Sequence, residues 1–444
     1  MLNFFKEFYL RKRFFAYWTG IILLFCAAFV FPWLYPLAKV VLILFLAVLL
    51  LDIFLLFLSN ANIKGRRKSA SQLSLGDENV IHIELSSKYK QPVFLRVIDE
   101  LPYQLQIRDF EYFIQLSHNE TKAIKYTIKP TRRGAYEFDY INAYVSSIFR
   151  IVERRIKIPA KQTLKVYPSV IQMKKYELQV FSKTAIFSGI KKVRRIGNNN
   201  EFEQIKNYIQ GDDLRTINWK ATSRNGELMV NQYQEERSQQ VYCIIDKSRS
   251  MKMPFNGLSL LDHSINASLV LSNIILRKGD KAGVISFSDK LGARLPAESS
   301  TGQLRKIMET LYNQKTHYLE ANYENLYFGT RNVIKGRSMI LLFTNFESMY
   351  ALERSIAMIR KLNQQHLVVV VFFENTELAK TEELESKNVK DIYFKTIAQK
   401  FSLEKKLIAR ELRKYGIQSI LTKPEELSVN AINKYLELKS RGMI

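Results

Sequence analysis

The sequence contains little that would support several common classes of protein. Its two cysteines, Cys26 and Cys243, exclude a disulfide framework, and both lie in apolar segments that favour burial of the thiol. No GxGxxG, GxxxxGK[ST] or HExxH motif is present, and none of the five histidines is paired at i, i+4 spacing. A nucleotide-binding or zinc-enzyme function therefore has no support from sequence motifs.

Acidic residues are scarce relative to basic ones. The 67 Lys and Arg residues against 42 Asp and Glu residues give a formal net charge of +25. This excess indicates an acidic partner, which is anionic lipid, nucleic acid or an acidic protein surface. A nucleic-acid footprint would consist of Lys174, Lys175, Lys183, Lys191, Lys192, Arg194 and Arg195. These residues form no recognised motif, and a membrane surface accounts for much of the charge, so nucleic-acid binding is the less favoured alternative.

Charged residues are almost absent from two long segments. Residues 14–35 contain none, and residues 37–58 contain only Lys39 and Asp52. Each segment has the ~20 apolar residues that a helix needs to cross a bilayer. A cleaved signal peptide has a shorter apolar core and occurs once. The two segments therefore predict a transmembrane helical hairpin within residues 1–62, with helices at about 14–35 and 37–58.

Basic residues flank the predicted hairpin on both outer sides, at positions 6–13 and 64–68, and are nearly absent from the connection between the spans. The positive-inside rule therefore predicts that both chain ends and the soluble domains lie in the cytoplasm. Asp52 is costly within a span. We expect it to lie near the cytoplasmic end, where it reaches water, or to pair across the hairpin.

The soluble region changes its pattern twice. Residues 63–172 alternate apolar and polar side chains in short runs between turn residues, which predicts a small antiparallel β-sandwich. Residues 173–239 form a basic linker and a distinctive signature segment. Residues 240–444 alternate apolar strands with amphipathic helices, which predicts a C-terminal α/β domain with a parallel sheet covered on both faces. The predicted strands lie at 241–245, 282–287, 339–343 and 367–373, and the predicted helices at 258–278, 301–313 and 349–362.

One predicted strand ends in an unusual polar motif, in which Asp246, Ser248 and Ser250 are spaced two residues apart. Ligands of parallel α/β folds bind at the carboxyl ends of the strands, and three short oxygen side chains directed at one point suit Mg²⁺. The alternative is that these side chains cap the following turn and helix. We expect Lys247 and Arg249, which alternate with them, to point outward.

Two motifs resemble known families. The Asp-x-Ser-x-Ser motif at 246–250 resembles the metal-ion-dependent adhesion site of von Willebrand factor A domains. The segment 208–224 resembles the signature of the bacterial domain-of-unknown-function family fifty-eight. Members of that family carry a membrane hairpin, a β-domain, this signature and a von Willebrand A-like (Rossmann-like) domain in the same order. The residues that carry the second resemblance are Tyr208, Gly211, Asp212, Asp213, Arg215, Trp219, Lys220 and Arg224.

The signature segment has three interpretations. In the favoured one it is a structural linker, in which Gly211 makes a turn and Trp219 docks on the sheet. Arg215 then pairs with Asp212 or Asp213. A partner-binding surface is the second interpretation. A hydrolase with the two aspartates as paired carboxylates is a remote third, because adjacent side chains usually diverge and no nucleophile or histidine accompanies them. We therefore do not expect an enzyme.

The resemblance also implies a metal site. In the adhesion-site pattern Thr301 matches the second-loop hydroxyl, and Asn345 stands where the pattern has an aspartate. A weakened site for Mg²⁺ or Mn²⁺ on Asp246, Ser248 and Ser250 follows, with a partner carboxylate completing the coordination. A metal-free interaction face is the alternative.

The resemblance further implies partners and a location. Members of the family are associated with MoxR-type AAA+ ATPases and other von Willebrand A proteins in chaperone-like or complex-maturation systems. We therefore expect a protein of the bacterial cytoplasmic (inner) membrane that acts as an interaction or assembly factor. No small-molecule substrate is implied.

Overall fold

The computed structural model describes residues 6–57, 62–108, 110–181, 201–210, 212, 214–234, 238–376, 378 and 388–443. Contacts divide the chain into two compact units, Met1–Tyr167 and Pro168–Ile444. The first unit contains both the predicted hairpin and most of the predicted β-sandwich. The second begins earlier than the boundary expected at residue 173, because the helix Val170–Phe181 packs on the core of the α/β region.

Two apolar helices open the first unit: α1, Lys12–Val30, and α2, Tyr35–Phe57. A short 3-10 turn, Pro32–Leu34, joins them. Pro32 cannot continue α1, whereas Pro36 lies in the first turn of α2, where a missing N–H costs nothing. Both helices are long and apolar enough to cross a membrane. The predicted spans are confirmed as helices, with the first ending earlier than predicted.

The rest of the first unit consists of short strands. They are β1 Phe8–Leu10, β2 Ile63–Ser69, β3 Gln72–Ser74, β4 Asn79–Ser87, β5 Val93–Asp99, β6 Tyr112–Leu116, β7 Thr121–Ile128, β8 Gly134–Phe138, β9 Ile141–Ser146, β10 Val152–Ile158 and β11 Gln162–Tyr167. In the described residues they form sheets of order β1-β10-β9-β5-β6, β3-β11-β8 and β2-β4-β7. The pairs are antiparallel, as expected, except that β3 and β11 are parallel. The alternation in sequence becomes alternating burial, as in β4, where Ile81, Ile83 and Leu85 point inward.

The basic flank after the second span is itself a strand, since residues 64–68 belong to β2. Arg67 is buried there and its guanidinium forms a two-point contact with the buried carboxylate of Asp99. The hydroxyl of Tyr126 donates to the same carboxylate at 2.5 Å. Arg67 is thus part of the interior of the β-sheets rather than of a charged surface beside the helix.

The structure corrects the expectation for Asp52, which neither reaches water nor pairs across the hairpin. Its side chain is fully buried against the turn between β9 and β10. The hydroxyl of Ser147 donates to one carboxylate oxygen, and the backbone N–H groups of Ile151 and Val152 donate to the other at 3.1 and 3.0 Å. The carboxylate therefore fastens α2 to the β-sheets.

The second unit alternates strands and helices. Its helices are α3 Val170–Phe181, α4 Trp219–Asn225, α5 Leu260–Arg277, α6 Gln303–Tyr312, α7 Tyr323–Val333, α8 Met349–Gln365, α9 Val389–Lys414 and α10 Leu427–Ser440. Its strands are β12 Glu201–Asn207, β13 Met229–Gln234, β14 Gln240–Asp246, β15 Pro254–Phe255, β16 Leu258–Ser259, β17 Lys281–Phe287, β18 Leu291–Glu298, β19 Met339–Phe343, β20 Leu367–Phe373 and β21 Gln418–Thr422.

A central sheet organises this unit. Among the described residues its strand order is β18-β17-β14-β19-β20-β21, with β18 antiparallel and the other neighbours parallel. Side chains of α3, α5, α6 and α10 pack on one face, and side chains of α7, α8 and α9 on the other. The prediction of a mainly parallel sheet with helices on both faces is confirmed.

The signature segment connects two antiparallel strands, β12 and β13. A 3-10 turn, Leu214–Thr216, precedes α4. Asn218 caps α4 by accepting a hydrogen bond from the N–H of Ala221 at 3.1 Å, and Gly226 ends it with a φ of 74°. The signature segment is therefore an ordered connection that contains its own short helix.

Candidate functional site

The polar motif lies at the carboxyl end of an interior strand. Asp246 is the last residue of β14, which pairs with β17 on one side and β19 on the other. Its side chain is fully buried. Ligand sites of parallel α/β sheets occur at this edge, so the position agrees with the sequence-based expectation.

The carboxylate of Asp246 is held by neutral groups. One oxygen accepts from the backbone N–H of Ser248 at 2.8 Å, and the other accepts from the hydroxyl of Thr344 at 2.8 Å. The Tyr323 hydroxyl lies 2.7 Å from the Thr344 hydroxyl and extends the network. Burial raises the pKa of Asp246, and within the described residues no cationic side chain contacts it. The site therefore contains a carboxylate without a compensating positive charge.

Two further hydroxyls complete the motif. The Oγ atoms of Ser248 and Ser250 lie 3.0 Å apart. Together with Asp246 they line a cavity of about 600 Å³ at the carboxyl edge of the sheet. Other acidic side chains on the cavity wall are Asp289, Glu320, Glu324 and Glu347. Glu320 is paired with Arg249 at 3.4 Å and with Arg354 at 3.2 Å, which neutralises part of this charge.

Asn345 reaches the site, but its oxygen is already engaged. The amide Oδ1 accepts a hydrogen bond from the ammonium of Lys405 at 2.7 Å, and the amide nitrogen donates to the carbonyl oxygen of Ser250 at 3.3 Å. The same ammonium donates to the carbonyl of Phe346. Burial lowers the pKa of Lys405 to about 8, with Glu347 opposing the shift. Asn345 therefore bridges the motif to α9, and its oxygen is not directed to a cation in the cavity.

Thr301 does not lie at the site. The antiparallel strand β18 starts opposite Phe287, beside Asp246, and runs back to Glu298, which pairs with Ala282 at the other end of β17. Thr301 follows that end and is exposed. At about 3.3 Å per residue, five residues of β17 separate the two edges by roughly 17 Å. The register of β17 and β18 therefore excludes Thr301 as the second-loop hydroxyl of the site.

A later segment borders the motif instead. The N–H of His317 donates to the carbonyl of Lys247 at 2.7 Å, and the N–H of Arg249 donates to the carbonyl of Leu319 at 3.1 Å. This segment follows α6 rather than β17. Thr316, which is partly buried, precedes His317 in this segment. The prediction assigned the second loop to the segment before α6, because the antiparallel direction of β18 was not foreseen.

The two basic residues of the motif differ. Arg249 is exposed, as expected. Lys247 is only 9% exposed, and a Cβ at Gly292 would lie 2.9 Å from its Nζ. Burial lowers the pKa of Lys247, and the charge of Asp289 acts in the opposite direction. Lys247 thus lies beside β18 and does not point outward.

The signature residues lie in the connection between β12 and β13, and Gly211 and Asp213 are outside the described residues. Asp212 accepts from the N–H of Ile209 and forms an ion pair with Lys206, each at 3.0 Å, and these contacts lower its pKa. Arg215 was expected to pair with Asp212 or Asp213; Asp212 pairs with Lys206, and Asp213 lies outside the described residues.

The signature side chains on α4 are exposed. Trp219, expected to dock on the sheet, opens α4 with 70% of its surface exposed. Lys220 and Arg224 on the same helix are also exposed, whereas Tyr208 is partly buried and its N–H donates to the carbonyl of Leu228 at 2.7 Å. In the predicted basic cluster, Lys174 and Lys175 are exposed on α3, and the other members, residues 183–195, lie outside the described residues.

The signature segment and the Asp246 motif both fall inside one region that matches a family model. Residues 204–387 match the model of the family described as "Protein of unknown function DUF58". The DUF58 region thus contains the signature helix α4, the Asp246 motif and Asn345, whereas Lys405 on α9 lies beyond it.

Relatives outside this family model are distant. The chain is 22% identical over 234 residues to the uncharacterized protein YeaD of Bacillus subtilis (strain 168), a match that covers 50% of this chain and 55% of YeaD. The chain therefore spans about half the length of the curated relative it matches. Among solved structures, BatB of Bacteroides thetaiotaomicron is 13% identical, with 46% of this chain and 100% of BatB covered and a TM-score of 0.30. The CARDB domain of PF1109 from Pyrococcus furiosus is 16% identical, with 24% and 88% covered and a TM-score of 0.19.

The oxygen donors at the carboxyl edge of the sheet supply part of the coordination that a divalent cation needs. Asp246, Ser248 and Ser250 supply one buried carboxylate and two adjacent hydroxyls, and a cation would offset the buried negative charge. Among the described residues, no group of three or more His, Cys, Asp or Glu side chains is placed to hold a metal ion. A cation here would therefore depend on ligands from water or from a second molecule.

Proposed function

We propose that this protein is a membrane-anchored interaction and assembly factor. Its second unit is von Willebrand A-like and binds a protein partner at the carboxyl edge of the sheet. The observation that carries the proposal is Asp246, a fully buried carboxylate with no cationic partner in the described residues, beside a cavity of about 600 Å³. Ionisation of a buried carboxyl group without a cationic partner is costly, so a ligand that brings positive charge would stabilise its ionised form.

The ligand at this edge is Mg²⁺ or Mn²⁺ together with a carboxylate of the partner. Asp246, Ser248 and Ser250 hold the cation, and the partner supplies the second negative charge. Mg²⁺ is commonly bound through one or two carboxylates with the remaining positions taken by water, so this donor set suits a weak site. Binding of cation and partner is therefore expected to be mutually dependent.

The partner class follows from the family resemblance and is a MoxR-type AAA+ ATPase, with other von Willebrand A proteins in the same system. Exposed apolar side chains of the signature segment support a second contact surface. Ile209 and Leu214 are each 64% exposed, and Trp219 is 70% exposed. Tryptophan is enriched among residues that dominate binding energy in protein interfaces.

The anchor is the α1–α2 hairpin in the bacterial cytoplasmic membrane, with both chain ends, the β-sheets of the first unit and the second unit on the cytoplasmic side. Support comes from the two long apolar helices and from the basic residues at the outer flanks of the hairpin. A cytoplasmic ATPase would then reach the carboxyl edge directly.

Titration calorimetry with Mg²⁺ and Mn²⁺ on the full chain in detergent tests the site. We expect weak binding by the wild type and by Thr301→Ala, and no binding by Asp246→Ala. Thr301 is the matched control because it is an exposed hydroxyl at the opposite edge of the sheet. Equal binding by Asp246→Ala, or binding that is lost in Thr301→Ala, would contradict the assignment of the cation to Asp246.

The same three proteins are then tested with the purified ATPase in the presence of Mg²⁺ and of a chelator. We expect the chelator and Asp246→Ala to weaken association by about tenfold or more, and Thr301→Ala to leave it unchanged. Association that is indifferent to both the chelator and Asp246→Ala would show that the partner does not bind at this edge.

A further inference from the structure

The turn between β9 and β10, residues 147–151, reaches along the two apolar helices. Phe149 and Ile151 line a cleft of about 430 Å³ whose other walls are side chains of α1 and α2, among them Gly20 and Leu44. At 1.5 Å per residue, Leu44 lies about 12 Å from Asp52 along α2, on the side of the connection to α1. Gly20 lies a similar distance beyond the start of α1. The turn therefore extends beside segments that, in the proposed anchor, lie within the bilayer.

The tip of this turn is apolar and exposed. Ile148 is 60% exposed and Phe149 is 38% exposed. The charged residue that follows them points back toward the sheet, since the guanidinium of Arg150 lies 3.6 Å from the centre of the Phe94 ring. The tip is thus apolar, and the guanidinium of Arg150 is directed away from it. This arrangement is expected at a bilayer interface, where charged side-chain groups stay out of the hydrocarbon.

Part of the backbone of the turn has its hydrogen-bond partners within the protein. Backbone N–H groups must find partners within the protein where water is absent. The N–H of Phe149 donates to Ser147 Oγ at 3.1 Å, and the N–H groups of Ile151 and Val152 donate to Asp52. The carbonyl of Ile151 accepts from the N–H of Arg11 at 3.0 Å. The carboxylate of Asp52 in α2 thus accepts from Ile151, the last residue of this turn, and from Val152, the first residue of β10.

We infer that the 147–151 turn inserts its tip, Ile148 and Phe149, among the lipid acyl chains beside the hairpin. The inference rests on the proposed membrane anchoring by α1 and α2. Its occupant is the bilayer, because the exposed apolar tip continues the exposed apolar surface of the helices, where Leu44 is 66% exposed. The turn is a third apolar element of the anchor, and it ties the β-sheets of the first unit to the membrane surface.

Depth-dependent quenching tests the inference on the full chain in lipid nanodiscs. Cys26 is replaced by Ala, and Cys243 remains because it is fully buried. A single cysteine carrying an environment-sensitive fluorophore is placed at position 148, 44 or 103. Tyr103 is 79% exposed and follows the end of β5 at Asp99, away from the β9–β10 turn, because Phe94 pairs with Ser146 and Asp99 with Ile141. It is the matched control for an exposed site on the β-sheets.

With acyl-brominated lipids we expect loss of fluorescence at positions 148 and 44 and none at 103. Quenching at 44 with none at 148 overturns the inserted turn and leaves the anchor intact. No quenching at 44 overturns the anchor, and the inference with it. Asp52→Ala provides a second measurement, because it leaves the N–H groups of Ile151 and Val152 without their acceptor. We expect it to reduce quenching at 148 and to leave quenching at 44 unchanged, and equal quenching at 148 would contradict the role of Asp52.

Discussion

At the scale of single residues, the candidate site depends on side chains that lie outside the recognised motif. Thr344 and Tyr323 form the network around Asp246, and Lys405 holds Asn345 from a helix 60 residues later in the chain. The Asp-Ser-Ser spacing was visible in sequence because the three residues are neighbours. The position of Lys405 was not, because only the packing of α9 against the sheet brings it to the site.

Lys405 makes stability depend on pH. Its pKa is lowered from 10.5 to about 8 by burial, so between these values the unfolded chain holds a proton that the folded chain has released. The free energy of unfolding therefore rises with pH across this window and is lowest below pH 8. At ~1.4 kcal/mol per pKa unit, the rise amounts to at most about 3.5 kcal/mol.

Lys405→Met removes this group, and urea unfolding on both sides of pH 8 measures the effect. We expect the stability difference between wild type and Lys405→Met to shift in favour of the wild type as the pH rises. Lys406→Met is the control, because Lys406 is exposed on the same helix. A pH-independent difference for Lys405→Met, or the same shift for Lys406→Met, would exclude this assignment.

At the scale of elements, local sequence patterns identified the parallel strands β14, β17, β19 and β20 and three helices of the second unit. Met339–Phe343 and Leu367–Phe373 are continuous apolar runs, and both are strands at the predicted positions. The edge strand β18, which was not predicted, alternates exposed and half-buried residues. Its antiparallel direction is a property of pairing, which no local pattern contains. That direction explains why Thr301 was assigned to the wrong edge.

The pairing of β17 imposes a local requirement for glycine. A Cβ at Gly283 would lie 2.5 Å from the ring of Tyr242 and 2.9 Å from the backbone nitrogen of Ala297. Tyr242 cannot move aside easily, because its hydroxyl accepts from the N–H of Ala297 at 3.1 Å. We expect Gly283→Ala to lower the free energy of unfolding by about 1–3 kcal/mol, as overpacking in a core does.

Chemical unfolding followed by circular dichroism measures this effect, and Gly302→Ala is its control. A Cβ at Gly302 would meet no atom within 4 Å, so that substitution is expected to be neutral. Equal stability of Gly283→Ala and wild type would show that β17 and Tyr242 relax without cost.

At the scale of the whole molecule, the chain is organised in two units with separate cores. The two apolar clusters of the second unit draw their residues from 173–438 only. The order of hairpin, β-region and α/β-region was predictable, because each has its own hydrophobic period. The boundary was not, because α3 follows the β-strands in sequence and yet packs on α5, where Asn273 donates to Glu177 at 2.8 Å.

This organisation predicts that residues 168–444 fold without the first unit and without detergent. A fragment of residues 182–444, which lacks only α3, is expected to be less stable by at least the roughly 2 kcal/mol that burial of one large apolar side chain such as Met173 contributes. Urea unfolding of the two fragments measures the difference. Equal midpoints would mean that α3 adds nothing to the core, and a non-cooperative transition for 168–444 would contradict its independence.

The contact between Asp52 and the β9–β10 turn also orders events in time. Ile151 and Val152 follow Asp52 by 99 and 100 residues, so a ribosome completes α2 well before it makes their N–H groups. During that interval the carboxylate has none of its final donors. At a synthesis rate of about 5–20 residues per second, the wait lasts roughly 5–20 seconds. The second helix reaches its final state only when β10 is in place, so biogenesis of the anchor ends with folding of the sheet.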